Sequence, residues 1–292
     1  LFFEEYMLDF LLEPLSFGFI RNSMVMIILL GVLCSVTGSF LIVQRMGFLG
    51  EVIAHAVLPG LAIAFYIGID IFLGAFISGM LSSLIIAWIQ SQSRVKVDVA
   101  MSLVFSGFFA LGILLITLLQ SRIDLHSFLF GDILGVRGND LWRTFFITIS
   151  VLIFVKLFYP HLLFYTFNPL GAQAIGLPVQ LINIGLVSAI TLTIIASMQA
   201  VGVVLVVSLL VGPSITAYLL VKELHHMMML GGILGAISGV VGIYISYYFN
   251  APSGAAIVLV VTVMFLLAFL FSPKEGILTR PPFFTKQNKL IK

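Results

Sequence analysis

The sequence predicts an all-α, polytopic membrane protein with about nine transmembrane helices. Two observations carry this. Of 292 residues, 61% are hydrophobic and only 9% are charged, against about 45–50% and about 25% in soluble domains. The apolar residues also gather into long runs, with room for about nine spans of ~20 residues. So little charge could not cover a soluble surface, which excludes an ordinary cytosolic enzyme, a nucleic-acid binder and a disordered scaffold. The formal charge of +2 does not require a polyanionic partner. The single cysteine, Cys34, excludes a disulfide framework and a Cys-based metal site.

The elements follow in order. Residues 1–20 carry Glu4, Glu5, Asp9 and Glu13 with no Lys or Arg. A secretory leader opens on basic residues; here acids alternate with Leu, Phe, Tyr and Met, as in an amphipathic segment lying at the membrane surface. The chain opens on Leu1 rather than Met, so further residues are expected upstream. Apolar runs bounded by turn or charge signals then predict spans at Met24–Val43, Val52–Ile69, Ile71–Ile89, Val99–Leu119, Thr144–Tyr159, Leu181–Ser197, Val201–Val221, Met227–Phe249 and Ala255–Phe271. Leu181 to Val221 is one long run, cut at its weakest point, Met198-Gln199-Ala200; merging one pair of segments would leave eight spans. The end, 273–292, is a basic tail with Lys274, Arg280, Lys286, Lys289 and Lys292. No internal repeat and no soluble domain interrupts the spans, so residues 1–292 read as a single transmembrane domain.

The positive-inside rule orients it. With the N-terminus outside and the C-terminus cytoplasmic, Arg45, Arg94, Lys96, Lys156, Lys222 and the five tail cations fall inside, ten in all; Arg21, Arg122, Arg137 and Arg143 fall outside, four in all. The four N-terminal acids, Asp70, Asp124, Asp132 and Asp140 are external. Trp142 and Trp88 sit near opposite boundaries, as interfacial aromatics do.

Most of the charge is thereby explained by topology. Glu51 is not. It opens the second span, one turn before His55, so both project from one helix face. An ionisable side chain at mid-bilayer costs about 2.5–3.5 kcal/mol on insertion scales, so it is placed against a partner, a cavity or an ion path. A carboxylate plus an imidazole is half a ligand set for a divalent transition metal; two chains about a two-fold axis would complete a shell. The alternative is structural: Glu51 favours a helix N-terminus at the interface and His55 hydrogen-bonds a neighbouring helix. Pro59-Gly60 would end or kink this helix. The pattern is not H-E-x-x-H, so a zinc-protease reading has no support.

The inner segment 160–178 is rich in turn signals. Asn168 can cap a short helix that Pro169 begins and Gly176-Leu-Pro178 stops. Such a helix could transmit a push from a docked protein. Gly231, Gly235 and Gly239 form a small-residue stripe for helix packing. Asn183, Gln199, Ser208, Ser214 and Thr216 read as interhelical hydrogen-bonders. Lys222-Glu223-Leu-His225-His226 has metal-ligand composition and reads as a solvated inner loop. His126 and His161 are lone interfacial histidines. No G-x-x-x-x-G-K-[ST] occurs, so this chain offers no P-loop for ATP.

The run Arg45-Met-Gly-Phe-Leu-Gly-Glu51-Val-Ile-Ala-His55-Ala-Val-Leu-Pro59-Gly60 resembles the signature of permease subunits of the manganese/zinc/iron-type (ABC-3) ABC importers. Further similarity lies in Asp124-Leu-His-Ser-Phe-Leu-Phe-Gly-Asp132, Phe167-Asn-Pro-Leu-Gly-Ala-Gln-Ala-Ile-Gly-Leu-Pro178, Val201–Pro213 and Ala251-Pro-Ser-Gly-Ala-Ala-Ile-Val-Leu, in the family's order and covering about Ser23 to Phe271. The family usually has Asp and Ser where this chain has Glu51 and Ala54, and Pro-Ala-Ala-Thr-Ala where it has Pro213-Ser-Ile-Thr-Ala.

The resemblance implies a type II (vitamin B12-permease-like) importer fold in the bacterial inner membrane, with no enzymatic activity of its own. It implies a homodimer, two ATP-binding subunits inside, an extracytoplasmic metal-binding protein outside, no nucleic acid and no permanently bound cofactor. It raises Glu51 and His55 to metal-path ligands and makes 160–178 a coupling loop, with Asn168, Pro169, Ala172, Ala174, Gly176 and Pro178 facing the ATPase. Ala56-Val-Leu-Pro59-Gly60 looks more like the manganese/iron branch, so Mn²⁺ is the expected cargo, with Zn²⁺ or Fe²⁺ as alternatives. A proton-coupled secondary transporter would predict an inverted repeat, an intramembrane enzyme more convergent polar groups, and a chelate permease no Glu/His pair.

Overall fold

Small residues on two helices set the centre of the molecule. The computed structural model describes residues 12–119, 131, 133–272 and 278. Among them there is no strand. The helices are α1 (Gly18–Val43), α2 (Leu49–Ala56), α3 (Leu58–Ile67), α4 (Ile71–Gln92), α5 (Val97–Leu118), α6 (Gly138–Phe167), α7 (Pro169–Ala174), α8 (Val179–Val201), α9 (Val203–Leu220), α10 (Leu224–Phe249) and α11 (Ser253–Phe271), with 3-10 turns at Pro14–Ser16 and Ile133–Gly135. Taking α2 and α3 as one span, nine segments of the described residues are long and apolar enough to cross a membrane. Residues 1–11 of the interfacial segment, Asp124, His126, Asp132 and the basic tail apart from Leu278 lie outside the described residues.

Helix α1 is the hub. It begins six residues before the apolar run alone predicts, because Ser23 there is buried and donates to the Ile133 carbonyl (2.8 Å). Along its length α1 meets α10 through glycine. A Cβ on Gly31 would lie 2.7 Å from the Gly235 carbonyl carbon, and one on Gly235 would lie 2.8 Å from the Gly31 oxygen. The backbones therefore touch, as small-xxx-small packing requires. Ser35 donates to the Gly231 carbonyl (2.9 Å), and Ser214 of α9 donates to the Ser35 carbonyl (3.1 Å). Three helices are thus laced together without a charge.

Other boundaries also differ from the hydropathy reading; α6, for example, begins at Gly138 instead of Thr144. Helix α6 continues through Pro160 to Phe167 instead of stopping at Tyr159. Proline removes one helix bond, but tertiary ties hold the last turns: Leu162 and Thr166 are buried, Gln44 Nε2 donates to Thr166 Oγ1 (3.2 Å), and the Tyr165 hydroxyl donates to Asn183 Oδ1 (3.0 Å). The long run after Val179 does divide, but at Gly202, whose φ of +78° suits glycine, rather than at Met198–Ala200.

Long-range contacts assign the turns to two ends of the bundle. Asp70 pairs with Arg143 (3.4 Å), whose guanidinium also lies over the Phe72 ring (4.1 Å), and Ser23 reaches Ile133 at that end. At the other, Gln44 meets Thr166 and Ser272 donates to the Leu219 carbonyl (2.7 Å). The latter end carries α7 and the α9–α10 turn. Trp142 and Trp88 are exposed toward opposite ends, matching interfacial aromatics.

Candidate metal path and coupling segment

Helix α2 is eight residues long, and six of them are buried; the two that are not are Glu51 and His55. The helix thus offers a single open face, and both ionisable groups occupy it. Its surroundings are the central turns of other spans. A Cβ on Gly50 would press on the Leu210 side chain (2.6 Å) of α9, and the His55 ring stands edge-on to Phe105 (5.1 Å) and Phe109 (5.4 Å) of α5. These two phenylalanines lie parallel, 5.9 Å apart, and Phe48 leans on Phe105. The pair therefore lies level with the middle of neighbouring spans, on the open face of α2, although it comes early in its own span. Phe48, at the N-cap, makes no side-chain cap bond.

His55 Nδ1 lies 3.0 Å from the Glu51 carbonyl oxygen. A carbonyl only accepts, so Nδ1 is the donor in this contact, and Nε2 has no hydrogen-bond partner among the described residues. Metal-binding histidines are commonly oriented in this way by a second hydrogen bond. Among the described residues the Glu51 carboxylate makes no hydrogen bond or ion pair, with His55 included. One chain thus provides an oxygen ligand and a nitrogen ligand on one open face.

The span breaks just beyond, at Val57, between α2 and α3. Pro59 has no N–H for the His55 carbonyl. Ser78 of α4 donates to the Ala56 carbonyl (2.6 Å) and secures the loosened backbone. Phe105, Phe109 and Ser78 were not identified from sequence; they lie on other helices, and no spacing pattern links them to His55.

At the other candidate site, Asn168 Oδ1 accepts from the Gly171 N–H (2.8 Å) and Pro169 is the first helical residue. After Ala174 the chain closes a Schellman motif: Leu177 N–H donates to Ala172 (3.0 Å) and Gly176 N–H to Gln173 (3.0 Å), with Gly176 at φ +81°. Pro178 then precedes α8. Ala172 is buried, whereas Asn168, Pro169, Ala174, Gly176 and Pro178 are exposed. Leu170 is 80% exposed and Ile175 67%. The sequence-based segment 160–178 therefore narrows to 168–178, since 160–167 belongs to α6.

Residues 16–272 match the family described as the ABC 3 transport family. The chain belongs to that family. The manganese transport system membrane protein MntC of Listeria innocua is 42% identical over 282 residues, covering 97% of this chain and 99% of its own. The manganese import system permease protein ScaB of Streptococcus gordonii is 41% identical, covering 91% and 95%. Among solved structures, PsaBC from Streptococcus pneumoniae in complex with Fab superposes with a TM-score of 0.83 at 37% identity, covering 92% of this chain and 97% of that one. This ABC-3 chain is a multi-pass permease of the bacterial inner membrane, with the fold of that importer family.

Proposed function

We propose that this permease is the membrane-spanning subunit of an ATP-driven importer that moves a divalent transition metal, Mn²⁺ first, into the cytoplasm. The observation that carries the reading is the open face of α2. Glu51 and His55 share that face at mid-span level, with no partner among the described residues for the carboxylate or for Nε2, in a chain about 40% identical to permeases named for manganese transport. Oxygen and imidazole ligands without thiolate suit Mn²⁺, and also Fe²⁺ or Zn²⁺. Iron is the alternative cargo with most support, because a Haemophilus influenzae relative 37% identical is named for iron transport.

A second copy of the chain supports the same reading. Around the α2 face, α5 leaves Ser102, Ser106 and Gly107 exposed. Ionisable groups facing lipid are costly; a homodimer about this face would cover them and bring two Glu51 and two His55 around one cation. Access would alternate as the break at Val57 lets α2 shift against α3.

The chain 1–292 is one permease domain in this reading, and ATP is hydrolysed by two separate ATP-binding subunits. They would dock at the end that carries α7, where the exposed Leu170 and Ile175 offer apolar contacts on a segment held by Asn168, Pro169, Gly176 and Pro178. The 10:4 cation bias supports reading that end as the cytoplasmic one. An extracytoplasmic metal-binding protein would deliver cargo at the Asp70 end. The permease holds no permanent cofactor; the metal is cargo.

The test is reconstitution with the candidate ATP-binding subunit and binding protein, followed by uptake with Mn²⁺, Fe²⁺ and Zn²⁺ in competition. Mn²⁺ uptake by the native chain and none by His55→Ala is the expected result. Normal uptake by that variant sinks the site assignment, and preferential transport of another ion reassigns the cargo.

A further inference from the structure

The α9–α10 turn holds a second set of ligand atoms, remote in sequence from Glu51 and His55. Glu223 Oε2 lies 3.2 Å from His225 Nε2 and 3.3 Å from His226 Nδ1. The two imidazoles lie 4.0 Å apart between centroids, tilted by 40°. One ligand atom from each residue falls within 4.8 Å of the other two. Metal–nitrogen and metal–oxygen bonds of about 2.0–2.2 Å place neighbouring ligands roughly 3–3.5 Å apart, so the carboxylate-to-imidazole separations are already those of a coordination shell. Two histidines and one carboxylate with open positions are a divalent transition-metal set. Composition alone favours a solvated loop; the local geometry of the first turn of α10, with Glu223 at its N-cap, is what turns the three side chains toward one another.

The scaffold beneath is firm. Leu224 and Met227, which flank the histidines on α10, are buried, and the Tyr159 hydroxyl of α6 lies near the His225 main chain. The three side chains remain about half exposed or more, which leaves room for water to complete the shell.

We propose that Glu223, His225 and His226 form a second metal site, binding a divalent transition cation at the α7 end of the permease. The site needs only this local geometry. That it receives cargo leaving the path rests on the orientation proposed above.

Co²⁺ is the probe, because its d–d absorption reports nitrogen and oxygen ligation directly. It is titrated into the full chain in detergent, as the native protein, His55→Ala, Glu223→Gln and the His225→Gln/His226→Gln pair, with Mn²⁺ as competitor. The expected result is a Co²⁺ band kept in His55→Ala and lost in the double variant, with Glu223→Gln weakening Co²⁺ at least ~10-fold, the lower end of what disturbing a ligand environment does. Identical stoichiometry and spectrum in native and double-variant protein overturn the proposal. An independent measurement needs no variant: Mn²⁺ should protect His225 and His226 from diethyl pyrocarbonate, read by mass spectrometry. Equal labelling with and without the ion means that the cluster is an ion pair only. Because His55→Ala is a separate arm, failure of the transport site and failure of this one give different results.

Discussion

The seam between α1 and α10 and the face shared by α2 and α5 are built from opposite materials. The seam has glycine against glycine, serine donating to backbone, and no ionisable group. It can be close because nothing stands between the two backbones. The α2 face has a carboxylate, an imidazole and two parallel phenylalanines, and it is left open. The seam is held by backbone contact; on the α2 face the Glu51 carboxylate has no hydrogen-bond or ion-pair partner among the described residues. The contrast separates residues that hold the fold from residues proposed to handle cargo.

Gly235→Leu should have the largest effect. Its Cβ alone would press on the Gly31 oxygen, so the cost lies at or beyond the upper end of the about 1–3 kcal/mol for overpacking. Loss of the monodisperse peak on size exclusion is expected; a normal melting temperature would show that the seam can open. His55→Ala is the mirror image. It removes one hydrogen bond, worth about 1 kcal/mol, and edge contacts with two rings, so the melting temperature should move by only a few degrees while metal uptake is abolished. A variant that unfolds would place His55 with the seam instead.

Gly176→Val comes next. A β-branched residue in the left-handed region costs roughly 1–2 kcal/mol, confined to the end of α7. Metal-dependent ATPase stimulation should fall while the melting temperature and binding of the variant to metal stay near native; unchanged stimulation would argue against a coupling role. Ser78→Ala should be mildest. It removes the donor to the Ala56 carbonyl, about 1 kcal/mol, and should raise hydrogen exchange only around Val57. Unaltered exchange there would mean that Ser78 does not restrain the break.

Hydropathy made the nine spans legible, because a membrane demands long apolar runs. The α7 caps were legible too, since Asn168, Pro169 and Gly176 act through local backbone geometry that a short string encodes. What escaped depends on other helices. The division of the long run falls at Gly202 because of one backbone angle, which averaged hydropathy does not register. Helix α6 outlasts Pro160 because Gln44 and Asn183, distant in sequence, hold its last turns. At the candidate site Glu51 stood out as a charge that topology did not explain, with His55 one turn on, whereas the wall of Phe105 and Phe109 behind them looks like any other apolar run. The Glu223 cluster was visible in composition, but its convergence was not.

Helix α7 has only six residues. A helix that short does not persist in water by propensity, because nucleation outweighs the few bonds it forms. It exists through its two ends, the Asn168 cap and the Gly176 turn, and through Ala172 pinned beneath it. Such an element has no graded response: with both ends fastened it is a rigid stud, and with either released it dissolves. A protein gripping Leu170 and Ile175 would therefore grip a part that is either present or absent, so force applied there passes undiminished into α6 and α8.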